Sequence, residues 1–255
     1  MPVGFESSSG VLAILSDIHG NRPALEAVLD EVQSLGITRV VVLGDVIGYG
    51  PFPNDCLRMV AKAELNLQGN HEAGVIERVP EYWFNDVALG MIRWTRRKLT
   101  ESDRVMIRSW KSAGAVDGIQ FAHASLNPSN EFDYLLTLRA LLPHFSAQSA
   151  PVCFAGHTHI QAIWEEGNVD EVPVPKDGLH RCNLSTKTVI NVGSVGLPRG
   201  DDKRAAWATY DPTTALVHFR RTTYDIAETI RTIRHLHLDP IIEDKLLKDL
   251  GVKAA

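Results

Sequence analysis

The stretch of residues 12–21 constrains the fold of this chain more than any other part of its sequence. It begins as an apolar run that is too short to be anything but a buried strand, and it ends in Asp17 and His19 before a Gly-Asn pair turns the chain. Because these two residues are two positions apart, both side chains point the same way on an extended backbone. Two ligand-type side chains on one side of a strand end form half of a metal site.

Four more apolar segments are followed by polar motifs of the same kind. In chain order, the motifs are Gly44-Asp45 after residues 40–43, Gly69-Asn70-His71-Glu72 after 65–68, His123 after 119–122 and Gly156-His157-Thr158-His159 after 152–155. Any one motif is weak evidence, since Gly-Asp is common turn chemistry and a single His-x-His is more often packing or a surface pair. Five such motifs at successive predicted strand ends together favour one shared site.

The first 72 residues alternate between predicted strands and predicted helices. The strands are expected at 11–16, 39–43 and 65–68, and the helices at 22–35 and 54–62. This β-α-β-α-β order implies a parallel sheet covered by helices. Ligand sites in such sheets lie outside the carboxyl ends of the strands, which is where the polar motifs fall.

The rest of the chain is predicted to supply a small helical cap and a second set of strands. Residues 75–112 favour two cap helices, 83–98 and 102–110, whose aromatic residues, Trp83 and Phe84 among them, we expect to pack in the core. The further strands are expected at 119–122, 152–155, 160–165, 188–191, 205–210 and 215–220, and the last helices at 225–236 and 240–250. The loop 167–183 is expected to be irregular. We predict one α/β domain over residues 1–255, in which two sheets pack together with helices outside.

The composition is that of an ordinary globular protein and excludes several functional classes. With 44% hydrophobic and 22% charged residues, 255 residues can form a sizeable core. The net charge of -5 gives no electrostatic footprint for nucleic acid, and no run of 18 apolar residues predicts a membrane span. Three widely spaced cysteines, and a first segment without a basic and an apolar part, predict a reduced, cytoplasmic protein. Nothing in the sequence predicts an oligomeric state.

The candidate metal ligands are imidazoles, carboxylates and one amide, without a thiolate. They are Asp17, His19, Asp45, Asn70, His123, His157 and His159. This mixture suits Mn, Fe, Zn or Ni, and seven ligands are too many for one ion but are all used by two ions that share a carboxylate. Two metals at roughly 3.5–4 Å are the device for in-line displacement at phosphorus, because they lower the pKa of a shared water and bind the phosphate oxygens.

The order of the motifs resembles the signature of the calcineurin-like metallophosphoesterase superfamily, over about residues 12–199. The resemblance implies a four-layer fold, a β-sandwich of two mixed sheets flanked by helices, and two divalent ions, Mn²⁺ ahead of Fe, Zn or Ni. It implies a first metal on Asp17, His19 and His159, and a second on Asn70, His123 and His157, with Asp45 bridging. His71 would not bind metal but would protonate the leaving group or steady the phosphate.

The stretch after Asp45 departs from two well-known branches of that superfamily. Protein Ser/Thr phosphatases and symmetric diadenosine tetraphosphatases carry Gly-Asp-x-x-Asp-Arg-Gly. In this chain Gly48 replaces the aspartate that would orient the histidine, and Tyr49 replaces the arginine that grips the phosphate. The stretch 45–51, with the later segment 193–199, looks more like the small bacterial and archaeal phosphodiesterase branch.

Three further residues are candidates for substrate contact. Residues 193–199 either bring backbone N–H groups near a phosphate, with Arg199 in place of the missing arginine, or simply turn between two strands. Asn21 and Tyr49 are also candidates, although a structural role is favoured for both. The histidines outside the motifs, at positions 144, 180, 218, 235 and 237, are interpreted as surface or packing residues.

The sequence thus predicts a dinuclear-metal-dependent phosphoesterase that hydrolyses phosphodiester or phosphomonoester bonds of small molecules or nucleotides. A Ser/Thr protein phosphatase-like enzyme and a dinucleoside polyphosphate hydrolase are the alternatives within the enzyme class. A non-catalytic binding scaffold of the same fold is a minor alternative, because a scaffold need not keep His71 or a complete ligand set.

Overall fold

Two mixed β-sheets pack face to face in the computed structural model, which describes residues 10–252 except residues 169 and 177. In spatial order, the first sheet consists of β3 (Leu65–Asn66), β2 (Arg39–Val42), β1 (Leu12–Leu15), β10 (Ala205–Asp211), β11 (Leu216–Thr222) and β8 (Leu179–Arg181). The second consists of β4 (Ala113–Val116), β5 (Ile119–Ala122), β6 (Val152–Ala155), β9 (Thr188–Val192) and β7 (Gln161–Glu165).

Each sheet has a parallel part that ends at one edge. In the first sheet β1 pairs in parallel with β2 and β2 with β3, and in the second sheet β6 is parallel to both β5 and β9. The remaining strands pair antiparallel beside these. The carboxyl ends of β1, β2 and β3 therefore lie at the same edge, as the β-α-β-α-β alternation predicts.

Helices cover the outer face of each sheet. They are α1 (Arg22–Ser34), α2 (Pro53–Val60), α3 (Asn70–Val75), α4 (Asp86–Lys98), α5 (Glu101–Ser109), α6 (Leu138–Ala147), α7 (Ile226–His235) and α8 (Pro240–Asp249). One apolar cluster packs α1 and α2 on the first sheet, a second lies between the sheets, and a third packs α6 on the second sheet. These four layers confirm the predicted α/β fold of two mixed sheets flanked by helices.

The alternation of side chains along β1 explains why this strand is apolar throughout. Leu12 and Ile14 belong to the cluster between the sheets, whereas Ala13 and Leu15 belong to the cluster under α1. Successive side chains of a strand point to opposite faces, and both faces of β1 are covered. The strand is therefore buried on both sides, and polar residues of the chain follow at its carboxyl end.

Helix α1 begins and ends close to its predicted bounds. Asn21 caps it, because its Oδ1 accepts a hydrogen bond from the backbone N–H of Ala24 at 3.4 Å. Pro23 lies in the first turn, where its missing N–H costs nothing. Gly36 follows the helix with φ of +67°, the left-handed conformation in which helices commonly end.

Four elements lie outside the set predicted from the sequence: α3, β4, α6 and β8. The expectation that residues 167–183 are irregular is wrong at β8, a three-residue strand at the sheet edge next to β11. Helix α6 forms although Pro143 lies inside it, with Thr137 as its cap. Proline in a helix interior removes one backbone hydrogen bond, so local pattern disfavours this helix and the packing of its apolar face on the second sheet sustains it.

The two cap helices form, as α4 and α5, but the first begins later than predicted. Its first predicted residue, Trp83, belongs to a 3₁₀ turn at Glu81–Trp83, and α4 itself begins at Asp86. The side chain of Trp83 is 54% exposed, so the expectation that it packs in the core is wrong, whereas Phe84 packs against the cluster under α1. The single domain over residues 1–255, with its cap at 75–112, stays a prediction.

The structure also bears on membrane association and on the cysteines. None of the helices within the described residues is long and apolar enough to cross a membrane. The three cysteines, all of which are described, are buried and free. They belong to three different apolar clusters: Cys56 to the one under α1, Cys182 to the one between the sheets and Cys153 to the one under α6.

Candidate metal centre

The polar motifs of both sheets meet at one edge of the sandwich. Backbone hydrogen bonds link the turns to one another: the N–H of Asp17 donates to the carbonyl of Gly44 at 3.0 Å, and the N–H of His19 donates to the carbonyl of Asp45 at 2.8 Å. The two sheets are joined where the N–H of His157 donates to Asp17 Oδ2 at 2.8 Å. All the candidate ligands are buried except Asn70, which is partly buried.

Most of the ligand residues have a left-handed backbone, which corrects the geometry expected from the sequence. Asp17 and His19 have φ of +53° and +49°, so they do not share one side of an extended strand. The same conformation occurs at Asp45, His157 and His159. A positive φ is uncommon outside glycine and clusters at functional sites. The side chains therefore converge through tight turns after the strands, and the side-by-side arrangement expected on a strand is wrong.

One group of ligand atoms comes from Asp17, His19 and His159, which lie within 4.8 Å of one another. His19 Nδ1 lies 3.2 Å from the carbonyl of Ile47, and His159 Nδ1 lies 2.7 Å from that of Leu197. Since a carbonyl can only accept, each Nδ1 donates and each Nε2 keeps a lone pair. The Nε2 atoms of His19 and His159 are 3.0 Å apart, and Asp17 Oδ1 lies 3.3 Å from the Nε2 of His159.

A second group comes from Asp45, His123 and His157, again within 4.8 Å. His123 Nδ1 donates to the carbonyl of Leu43 at 2.9 Å, so its Nε2 faces the site. That Nε2 lies 3.2 Å from His157 Nδ1 and 3.2 Å from Asn70 Oδ1. Imidazole, carboxylate and amide oxygen thus converge on one point, as in the second metal set expected from the sequence.

Asp45 lies between the two groups. Its Oδ2 is 3.7 Å from His19 Nε2 and 3.5 Å from His123 Nε2. Its Oδ1 accepts a hydrogen bond from the backbone N–H of His71 at 2.9 Å, which fixes the rotation of the carboxylate. One oxygen of this side chain is therefore directed at both groups.

Electrostatics and unpartnered atoms show that these residues fit divalent cations. Burial lowers the pKa of His19, His123 and His157, so their rings are neutral and keep the lone pairs that metals bind. Burial opposes the charged form of Asp17, but the neighbouring imidazoles hold its pKa below the ordinary value. Asp17 Oδ1 is buried and has no hydrogen-bond partner among the described residues. Facing lone pairs beside a carboxylate oxygen repel one another unless a cation lies between them.

Glu72 holds the turns that carry the ligands, a role that the motif alone did not reveal. Its Oε2 accepts hydrogen bonds from the N–H groups of Asp45 and Gly69, both at 2.8 Å, and its Oε1 accepts from Ile47 at 3.1 Å. Burial raises the pKa of this carboxyl to about 7, and the three N–H donors oppose that rise. The spacing from Gly69 to Glu72 is that of a capping box, and this was the available sequence signal.

His71 lies beside the first group and under the cap. Its ring centroid is 4.8 Å from that of His19 and 4.6 Å from that of Tyr49, and its Nδ1 has no partner among the described residues. A ligand atom of His71 also lies within 4.8 Å of His19 and Asp45. A Cβ on Gly48 would come 2.2 Å from His71 Nδ1, so the ring fills the space that an aspartate at position 48 would need.

The three candidates for substrate contact lie in different surroundings. Asn21 is 2% exposed, and its Nδ2 donates to the carbonyl of Gly196 at 2.8 Å. Its other hydrogen bonds, with Ala24, Tyr224 and Thr229, are also within the protein. Tyr49 lines the cleft over the ligands, and Arg199 is exposed at its rim.

The segment 193–199 holds the first group of ligands in place. The N–H groups of Val195 and Gly196 donate to the carbonyls of Ser16 and Asp17, at 2.9 and 3.0 Å, and that of Leu197 donates to Ser194 Oγ at 2.8 Å. These amides are therefore occupied within the protein, which favours the second of the two alternatives for this segment, a turn between two strands. The carbonyl of Leu197 instead orients His159.

Comparison with known proteins agrees with this geometry. A metallophosphoesterase from Sphaerobacter thermophilus is 29% identical and superposes with a TM-score of 0.83, covering 96% of this chain and 99% of that one. A hypothetical protein from Pyrococcus horikoshii OT3 shares the fold at 18% identity, with a TM-score of 0.70 and coverage of 92% and 97%. An uncharacterized protein of Methanocaldococcus jannaschii is 29% identical over 232 residues, which are 88% of this chain and 91% of that protein.

A family model fixes the classification. The model for the calcineurin-like phosphoesterase superfamily domain matches residues 11–215, which contain every ligand described above. The family implies divalent metal ions and a phosphate-ester substrate, and the clusters of His and Asp side chains are able to bind such ions. This chain belongs to the calcineurin-like phosphoesterase superfamily and is a metal-dependent phosphoesterase.

Proposed function

We propose that this chain hydrolyses phosphodiesters or phosphomonoesters of small molecules or nucleotides with two divalent cations. The first would be held by Asp17, His19 and His159, and the second by Asn70, His123 and His157, with Asp45 bridging. The position of Asp45 Oδ2 between His19 and His123 carries the proposal, because a single oxygen directed at two ligand groups is what a bridging carboxylate requires. When bound, the cations supply Lewis-acid chemistry, which activates water and neutralises charge on the phosphate oxygens.

The protein's own residues orient the groups that take part in the reaction. The carbonyls of Ile47, Leu43 and Leu197 direct the lone pairs of three imidazoles into the site, so little rearrangement is needed when cations bind. We propose that His71 delivers a proton to the leaving group or holds a phosphate oxygen, since it lines the cleft and its Nδ1 is free of protein partners among the described residues. We assign Asn21 a structural part, and Tyr49 and Arg199 a place facing the substrate.

A panel of metals and substrates tests this proposal. Metal-stripped protein is reconstituted with Mn²⁺, Fe²⁺, Zn²⁺ or Ni²⁺ and assayed on bis-p-nitrophenyl phosphate and p-nitrophenyl phosphate, with metal content measured in parallel. We expect two ions per chain and hydrolysis that is highest with Mn²⁺. One ion per chain at saturating metal would reject the bridging role of Asp45. Two ions per chain with no hydrolysis of any ester would favour the scaffold of the same fold.

The alternatives within the enzyme class have less support. Gly48 and Tyr49 stand where protein phosphatases and symmetric diadenosine tetraphosphatases carry aspartate and arginine, and His71 fills the space beside Gly48. The same panel, extended to a phosphoserine peptide and a diadenosine polyphosphate, separates these activities. A cytoplasmic location is part of the proposal and is tested by cell fractionation.

A further inference from the structure

A second cavity adjoins the cleft over the metal ligands. The cleft measures about 70 Å³ and the adjoining cavity about 390 Å³, and Tyr49, Asn85, His159 and Arg199 line both. An ester whose phosphate lies against the ligands can therefore extend into the larger space. The cavity is too large to be accounted for by the reacting phosphate alone.

The larger cavity is positively charged in a protein whose overall charge is negative. Arg199, Lys203 and Lys245 line it, with Asp249 as the one carboxylate among its described lining residues. Lys245 pairs with Asp249, whereas neither Arg199 nor Lys203 forms a salt bridge with any described residue. Two uncompensated cations thus remain in the cavity, although the chain carries a net charge of -5. Such local charge raises the concentration of an anionic ligand.

Each cation is carried by a segment whose position is fixed relative to the metal ligands. The N–H of Arg199 donates to the carbonyl of His159 at 3.3 Å. The ammonium of Lys203 lies 3.5 Å from the carbonyl of Pro198 in the same segment. Lys245 lies on α8, which is anchored by the buried side chain of Leu246. The cations are therefore part of the walls of the site and not of a remote surface.

The geometry points to a subsite for a second phosphoryl group of the substrate, bound by Arg199, Lys203 and Lys245. This inference rests on the proposed function and narrows it to esters that carry another phosphate besides the one that reacts. A guanidinium binds two phosphate oxygens at once and an ammonium acts as a point charge, so together they suit a phosphoryl group. The class includes nucleoside bisphosphates.

The test compares adenosine 3′,5′-bisphosphate with 5′-AMP as inhibitors of bis-p-nitrophenyl phosphate hydrolysis, with free Mn²⁺ held constant. We expect the bisphosphate to bind at least about tenfold more tightly, from charge-assisted hydrogen bonds of one extra phosphate. The double variant Lys203→Gln/Lys245→Gln should lower the ratio of the two inhibition constants severalfold, because Arg199 is then the only one of the three proposed contacts that remains. Lys248→Gln is the matched control, because Lys248 also lies on α8 but pairs with Asp244 outside the cavity, and it should leave the ratio unchanged.

Calorimetric titration of the Mn²⁺-loaded protein with the same two nucleotides supplies a readout that needs no turnover. If wild-type protein hydrolyses no ester but still prefers the bisphosphate, the proposed function fails while the subsite stands. Equal binding of both nucleotides by an active wild-type enzyme would overturn the subsite. An unchanged preference in the folded double variant, with folding checked by circular dichroism, would overturn it as well.

Discussion

At the scale of single residues, the metal centre is defined by which nitrogen of each imidazole is free. Backbone carbonyls accept hydrogen bonds from the Nδ1–H groups of His19, His123 and His159. The Nε2 lone pairs of these imidazoles are therefore directed inward before any cation binds. The left-handed backbone conformations at Asp17 and His19 are tolerated because backbone hydrogen bonds to the turn after β2 hold both residues in place.

The bridging role of Asp45 gives the sharpest prediction at this scale. Asp45→Asn removes the charge that both cations share but keeps the size of the side chain, so we expect at least about a hundredfold loss of ester hydrolysis. The metal content, measured by elemental analysis, should fall because both proposed metal sites are weakened, while the circular dichroism spectrum should remain that of the wild type. Wild-type turnover by this variant would contradict the central assignment.

The loss of activity on replacing His71 is expected to depend on the leaving group of the ester. General acid catalysis contributes about 10²–10⁴-fold when the leaving group is a poor one. His71→Gln should therefore keep both metals and cleave a p-nitrophenyl ester, but lose much of its activity on an alkyl or nucleotide ester, with kcat and metal content as the measurements. Equal losses on both esters would mean that His71 binds phosphate without delivering a proton. Loss of a metal would mean that His71 is a ligand.

At the scale of elements, the turns after β2 and β3 act as one unit through Glu72. Its carboxylate accepts hydrogen bonds from the backbone N–H groups of Asp45, Ile47 and Gly69, and so ties the start of α3 to the turn that carries Asp45, the proposed bridging ligand. The carboxylate thereby extends the register set by the parallel pairing of β2 with β3 into the turns that follow these strands.

Replacing the carboxylate of Glu72 by an amide should weaken the link between the turns after β2 and β3. In Glu72→Gln an N–H₂ group must face backbone N–H donors, so we expect a loss of about 1–3 kcal/mol in the free energy of unfolding and weaker metal binding. Urea unfolding and metal titration check both effects. Glu26→Gln on α1 is the control, since Glu26 lies within 4.0 Å of Arg22 at the surface and exposed pairs contribute little. Equal effects of the two substitutions would contradict the role of Glu72.

A residue of helix α6, His144, is expected to make the stability of the fold depend on pH. His144 is fully buried on its inner face, and its Nδ1 accepts a hydrogen bond from the N–H of Leu126 at 3.1 Å. Burial lowers the pKa of His144 from 6.5 to about 4. The unfolded chain therefore binds this proton more readily, so the neutral ring supports folding above pH 6.5 and that support is lost as the pH falls towards 4.

His144→Asn keeps an acceptor near Leu126 and removes the titrating ring. The free energy of unfolding, measured in urea at pH 7 and pH 5, should fall less between those values than in the wild type, by about 1–2 kcal/mol. The imidazoles of the metal centre contribute equally to both proteins and cancel in this comparison. The exposed His235→Asn serves as the control and should behave as the wild type. An unchanged pH dependence in His144→Asn would refute the assignment.

At the scale of the whole molecule, the ligands come from both sheets, so a bound cation joins the two halves of the sandwich. Asp17 and Asp45 follow strands of the first sheet, and His123 and His157 follow strands of the second. Anything that binds the folded chain and not the unfolded one stabilises the fold. Metal binding is therefore expected to be coupled to global stability.

Removal of metal should lower the melting temperature. At a metal concentration a hundred times Kd, each site contributes about 2.7 kcal/mol, which for a chain of this size corresponds to roughly 5–10 °C. Thermal unfolding followed in EDTA and in Mn²⁺ measures this difference, and Asp45→Asn should show a smaller one. The same melting temperature in both buffers would mean that the cations do not bridge the sheets.

Much of this molecule follows from local sequence alone. Short apolar runs that end in Asp, His or Asn specify buried strands with ligands at their carboxyl ends, because period-two burial and strand length leave few other structures for them. The alternation of elements then specifies a parallel arrangement, and the motif order specifies the family. For this reason the strands β5 and β6 agree with the sequence prediction, and the residues predicted as ligands remain candidate ligands whose side chains lie close together.

Tertiary structure decided what local pattern does not encode. The left-handed turns at Asp17 and His19 are held by hydrogen bonds that their N–H groups donate to carbonyls in the turn after β2, and by one that the carbonyl of Asp17 accepts from Gly196, far along the chain. The amides of residues 195–197 donate hydrogen bonds to protein carbonyls and to Ser194 Oγ, because β10, which pairs with β1, brings that segment against the turn after β1. The proline-containing α6 and the edge strand β8 exist because long-range packing supplies the free energy that their own residues lack. The cavity beside the metal ligands arises in the same way, since Arg199 and Lys245 are distant in sequence and meet only when α8 packs against the cap.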